Sequence, residues 1–104
     1  MTMERIFHHT ISRWQDHPGH SSQTFPSLVA TPTGRLIASW RCSPTKEGIC
    51  DNHVLFSISD DGGHTWGTPF RPCLAPQLDG RNGIFRVGSL SAIGSRLLLT
   101  YCWV

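Results

Sequence analysis

The chain is poor in charge, carries a single tyrosine, and contains no long apolar run. Charged residues make up 15% of its 104 positions, and the net charge is +2. That is too little for the electrostatic footprint of a dedicated nucleic-acid binder, so no nucleic-acid partner is expected. No apolar stretch approaches the ~20 residues that cross a bilayer, so no membrane partner is expected either. Met1-Thr2-Met3-Glu4-Arg5-Ile6-Phe7 lacks a basic segment followed by an apolar core. No secretory leader is therefore legible, and a cytoplasmic location is the default expectation. No Cys-x-x-Cys pair occurs among Cys42, Cys50, Cys73 and Cys102. Their spacing argues against a thiolate zinc site and for reduced, partly buried thiols, with a Cys42–Cys50 disulfide as the alternative in an exported protein. The six histidines show neither His-x₃-His spacing nor a His–carboxylate motif. Solvated loop histidines are expected, with no metal and no cofactor.

What is present reads as strands. Hydrophobic residues reach 38%, which excludes disorder throughout, and ten glycines and seven prolines punctuate many short elements. Residues 25–30 and 35–40 flank Thr31-Pro32-Thr33-Gly34, a strong turn signal. Residues 53–58 form a third strand that ends in Asp60-Asp61-Gly62-Gly63. A weaker fourth covers 68–74, where Pro69 and Pro72 place it at a sheet edge. Residues 77–83 read as a polar connection, and 84–93 with 96–103 as a further pair around Gly94-Ser95. No helix is expected, and residues 10–15 make a turn at most. The fold class is all-β.

Within this pattern lies an internal repeat. Ser27-Leu28 aligns with Ser89-Leu90 and Ala30 with Ala92, an offset of 62 residues. A glycine-containing turn follows each copy, one residue shorter in the second, and then Arg35-Leu36-Ile37 or Arg96-Leu97-Leu98. Each second strand is read as closing on tryptophan, Trp40 and Trp103. Four strands and then the first hairpin of another unit is the organisation of stacked blades, although blade repeats usually run to ~40–50 residues.

The most specific motif is Ser59-Asp60-Asp61-Gly62-Gly63-His64-Thr65-Trp66. Asp61 can accept hydrogen bonds from backbone N–H groups of a tight turn, and Gly63 permits a positive φ. Ser59 and Thr65 can join that network, while Trp66 supplies an apolar anchor. A calcium loop would require further oxygen ligands beyond Asp60, Asp61 and His64. The spacing matches the Asp-box (BNR repeat) of the sialidase, or neuraminidase, superfamily of β-propellers. The segment Thr24-Phe25-Pro26-Ser27-Leu28, Gly34 to Arg41, and Val54 to Trp66 resembles the opening blade of bacterial and animal exo-sialidases. The resemblance implies a four-stranded antiparallel blade plus the first hairpin of a second, as a fragment of a six-bladed propeller. It divides the chain into a polar lead-in (1–22), a first blade (23–76, box at 59–66), a connecting loop (77–83) and the start of a second blade (84–104).

In that family, three arginines clamp the sugar carboxylate, a Tyr–Glu pair supplies the nucleophile and an Asp serves as acid/base. Here the first clamp position falls on Thr24, which cannot make a bidentate carboxylate pair. Arg41 matches the second clamp arginine and is a ligand-binding candidate. Arg86 lies at the repeat position of Thr24 and is another. Glu47 and Asp51, in the loop after Arg41, are the acid/base candidates. Tyr101 does not match the nucleophile. The box residues Ser59, Asp61, Gly63, Thr65 and Trp66 are structural. The resemblance implies a glycoside hydrolase segment that is catalytically incomplete by itself, with a glycan or sialic-acid-like ligand in a complete propeller. The alternative is a non-catalytic carbohydrate-binding or scaffold module that self-associates through exposed strand edges.

Overall fold

The computed structural model describes residues 8–48, 51–74 and 77–103, with only the backbone described at Arg86, Val87 and Trp103. After a 3₁₀ turn at Trp14–Asp16, the described residues form seven strands, all paired antiparallel. β1 (Ser22–Ala30), β2 (Leu36–Ser43) and β3 (His53–Ser59) form a meander in that order. β4 (Gln77–Leu78) pairs with β5 (Arg81–Asn82), and β6 (Phe85–Ile93) with β7 (Arg96–Trp103).

The β1–β2 connection closes with Thr31 N–H donating to Arg35 O (2.8 Å) and Gly34 N–H to Thr31 O (2.9 Å). Pro26 has no N–H to give the ladder, and the register jumps there, from Thr24↔Arg41 to Ser27↔Ser39. Two residues thus oppose one, a β-bulge, and Phe25 adopts φ +56° within it. The second hairpin has a like jump one residue earlier in the repeat, between Phe85 and Gly88, and then Ser89↔Thr100, Leu90↔Leu99 and Ala92↔Leu97. These pairs match Ser27↔Ser39, Leu28↔Ala38 and Ala30↔Leu36, so the repeat holds residue for residue. This register corrects one detail of the sequence reading. The shorter second turn puts Tyr101, not Trp103, at the position of Trp40.

Two further expectations are corrected. Residues 68–74 do not form a fourth strand: Phe70 makes one bridge, exchanging N–H···O bonds with Phe56 (2.8 and 2.9 Å). The prolines on both sides of it, Pro69 and Pro72, lack the N–H groups that would extend the ladder. The 77–83 connection, read as a loop, contains the β4–β5 hairpin, turned by Asp79 (φ +51°) and Gly80 (φ +72°).

β2 is central and buried along nearly its whole length. One face carries Ile37, Val54 and Phe56, which pack with Phe85 and Leu90 of β6. The other carries Ala38, Trp40, Cys42 and Leu55, covered by Ile11 and Trp66. β6 therefore lies across the sheet rather than extending it, and among the strands of that sheet β1 is its main neighbour. The Ser27 hydroxyl joins the two copies, accepting Leu90 N–H (3.1 Å) and sharing a 2.6 Å bond with Ser39 Oγ. Phe85, 2% exposed, is the largest wholly buried side chain and meets Tyr101 edge to face. Phe85→Ala is expected to lower unfolding free energy by about 3–5 kcal/mol, read by urea denaturation followed through tryptophan fluorescence.

Candidate functional site

The expected site residues gather at one end of the β1–β3 sheet, in and beside the loop that joins β2 to β3. The 59–66 turn lies at the other end, beside Leu36, which pairs with Ser59. Five steps along extended strand separate Leu36 from Arg41, about 17 Å.

Arg41 points into the face covered by β6 and is 5% exposed. Its Nη2 donates to Lys46 O (3.1 Å), and the Phe25 ring lies 4.8 Å from its Cζ. Gly48 closes the loop over the guanidinium with φ +62°, and a Cβ there would stand 2.5 Å from Arg41 Cζ. Asn52, also buried, pins this loop by donating Nδ2–H to Gly48 O (2.7 Å) and to Phe85 O (2.6 Å). Beside Arg41 remains a cavity of about 10 Å³ lined by Phe25, Ser39, Val54 and Phe85. Such a space holds at most one water, so no sugar reaches Arg41 with the loop in this position. Thr24, which the sequence resemblance sets at the first clamp place, is paired directly across from Arg41. The side chain of Arg86 lies outside the described residues, as does Cys50. The residue at Arg41's place in the second copy is Cys102.

Glu47 is exposed on the same loop. Asp51 is exposed too, with φ +49°, but it is not isolated. His20 Nε2 lies 2.9 Å from its Oδ2 and His53 Nε2 3.2 Å from its Oδ1. The hydrogen bond from His53, with a smaller contribution from His20, lowers the Asp51 pKa below the ordinary carboxylate value. A glycosidase acid needs the opposite shift, so Asp51 stays an ionised carboxylate, suited to pair with a cation rather than to deliver a proton. Burial, with the positive charge of Arg71, lowers the pKa of His53 and favours its neutral imidazole. The two rings stack with centroids 4.5 Å apart. His20 and His53 are half-buried and share one carboxylate, which corrects the expectation of solvated loop histidines. Asp51 and His53 stand two residues apart, but His20 lies 31 and 33 residues from them, and no local spacing could have announced its arrival.

Cys42 is a buried free thiol whose pKa is raised by burial. It accepts from Gln23 Nε2 (3.0 Å) and donates to His20 O (3.3 Å). Cys73 and Cys102 are free and exposed.

At the far end, the turn forms around Asp61. Its Oδ1 accepts from Ser59 Oγ and from Thr65 N–H, each at 2.8 Å, and its Oδ2 accepts from Thr65 Oγ1. Gly63 N–H donates to Ser59 Oγ (2.9 Å), and Trp66 Nε1–H to Gly63 O (3.0 Å). Gly63 takes φ +93°, the conformation for which glycine is required. Arg35 pairs with Asp60 through two bonds (2.8 and 3.2 Å) outside the network. The Ser59, Asp61 and Thr65 side chains and the Trp66 indole N–H thus bond within the turn itself.

Compared with family models, curated proteins and solved structures, the chain gives no significant match.

Two outcomes follow from this geometry. The bonds from Thr65 and Ser59 lower the Asp61 pKa to about 2, against about 3.9 in an unfolded chain. The stabilisation from Asp61 is thus complete above about pH 4 and is lost as pH falls toward 2. Asp61→Asn is expected to flatten stability across that window, measured by chemical denaturation at stepped pH. Gly48→Ala forces a β-carbon against Arg41 in a left-handed conformation and is expected to lower stability by about 1–3 kcal/mol.

Proposed function

We propose that the chain is a segment of a sialidase-like β-propeller, one blade with the opening hairpin of the next, that frames a glycan site and lacks a complete hydrolytic centre. The observation that carries this reading is the Asp61-centred turn. All five fixed positions of the Asp-box pattern take up bonding or anchoring places in it. The packing of β6 across the first sheet, joined through Ser27, gives independent support, since neighbouring blades stack face to face. The bridge at Phe70 occupies the place of an outer fourth strand.

Between a hydrolytic and a non-catalytic role, two features favour the second. Arg41 is enclosed by its own loop, and Asp51 is held ionised by its histidine neighbours rather than kept as an acid. The ligand in an assembled propeller is a glycan, and its carboxylate would have to displace the 44–48 loop to meet Arg41. Self-association is the further partner proposed, because β1 and β7 each have one pairing partner among the described strands.

Incubated with a fluorogenic sialoside, the chain is expected to release no fluorophore above the buffer rate. Turnover that disappears in Asp51→Asn would overturn the non-catalytic assignment. The blade reading itself fails if solution nuclear Overhauser contacts place β6 edge-on to β1 in one continuous sheet.

A further inference from the structure

We propose that His20, Asp51 and His53 form a zinc-class divalent cation site at the end of the sheet that carries the β2–β3 loop. Both Nε2 atoms face the same carboxylate from opposite oxygens, at 2.9 and 3.2 Å. The three ligand atoms all lie within 4.8 Å of one another. A tetrahedral zinc ion with bonds of about 2.0–2.1 Å sets its ligand atoms about 3.3 Å apart. Each imidazole nitrogen lies near that value from one carboxylate oxygen, and with a single oxygen as the shared ligand no pair of the three atoms need close by more than about 1.5 Å.

The two histidines are pre-positioned from the backbone by one residue. Cys42 donates its thiol to His20 O and is the register partner of His53. Gln23 adds a second bond to His20 O (2.8 Å) while accepting from the Trp40 indole (2.6 Å). The imidazoles are half-buried, and the carboxylate is 63% exposed, so the site opens toward solvent on the Asp51 side.

Donor chemistry selects the ion. Two imidazole nitrogens and one carboxylate suit zinc and its late first-row neighbours, whereas calcium and magnesium prefer all-oxygen sets. Three protein ligands leave a fourth position for water or for an anionic group of a ligand. The bound ion would clasp the segment before β1 to the start of β3, tying together residues 31 and 33 positions apart. This site stands apart from the propeller reading, and neither depends on the other.

The test uses the full chain, stripped with EDTA and titrated with zinc chloride by calorimetry. One equivalent is expected to bind at low-micromolar zinc, with a rise in melting temperature that EDTA reverses. Cobalt loaded in its place is expected to show d–d bands without thiolate charge transfer, which separates this site from the exposed Cys73 and Cys102. His20→Ala, His53→Ala and Asp51→Asn are each expected to weaken binding at least about 10–100-fold. His8→Ala with His9→Ala is expected to leave it unchanged. Asp51 is exposed, so its asparagine variant tests the site even where a histidine variant does not fold. Absence of a one-to-one heat, or binding that survives Asp51→Asn or His53→Ala, would overturn the proposal.

Discussion

A strand covered on both faces must find a partner for every polar group it carries, and β2 carries many. Ser39, Arg41, Cys42 and Ser43 are all buried, and much of the remaining structure answers to them. Ser39 is met by Ser27, which in turn holds Leu90 of the second hairpin. Ser43 donates to Thr45 O (3.0 Å) and Arg41 to Lys46 O, so the loop after β2 folds back over the strand end. Cys42 reaches His20 O and thereby fixes the segment that precedes β1. The two halves of the chain and its lead-in are thus held by the polar side chains of one strand. Apolar contact around Ile37, Phe56 and Phe85 supplies most of the driving force.

The sheet keeps its two ends chemically distinct. At the 59–66 end, the side chains of Ser59, Asp61, Thr65 and Trp66 bond within the turn, and its glycines accept conformations that other residues resist. At the 44–52 end, the chain brings together a buried guanidinium, an ionised carboxylate and two half-buried imidazoles. One end is closed chemistry and the other retains groups able to bind. That separation also explains why the most recognisable motif says little about what the chain engages.

Much of the fold was legible because strand signals are local. The apolar runs along 35–40 and 53–58, the Thr31-Pro32-Thr33-Gly34 turn and the Asp61 turn depend on neighbours a few residues apart, and the antiparallel hairpins follow from them. The repeat was legible as well, down to the shorter second turn, although aligning Trp40 with Trp103 ignored what that shortening does to register. The failed fourth strand marks a competition that sequence alone leaves open. Phe70 has the apolar side chain for a strand, but the prolines beside it withhold the hydrogen bonds. Of the candidate site, Arg41, Glu47 and Asp51 do fall on one loop end. The enclosure of Arg41 and the convergence on Asp51 depend on Phe25, Gly48, His20 and His53, which only the folded chain brings near.

The missing residue between the two copies has been taken out of a turn, and its location matters. Side chains on a strand alternate with a period of two, so losing one residue inside β7 would exchange its inward and outward positions. Lost between Ala92 and Arg96, it leaves every pair from Ser89↔Thr100 to Ala92↔Leu97 in step with the first hairpin. The hairpin tips therefore behave as expansion joints. Length can drift there in either copy without re-sorting which side chains meet the core.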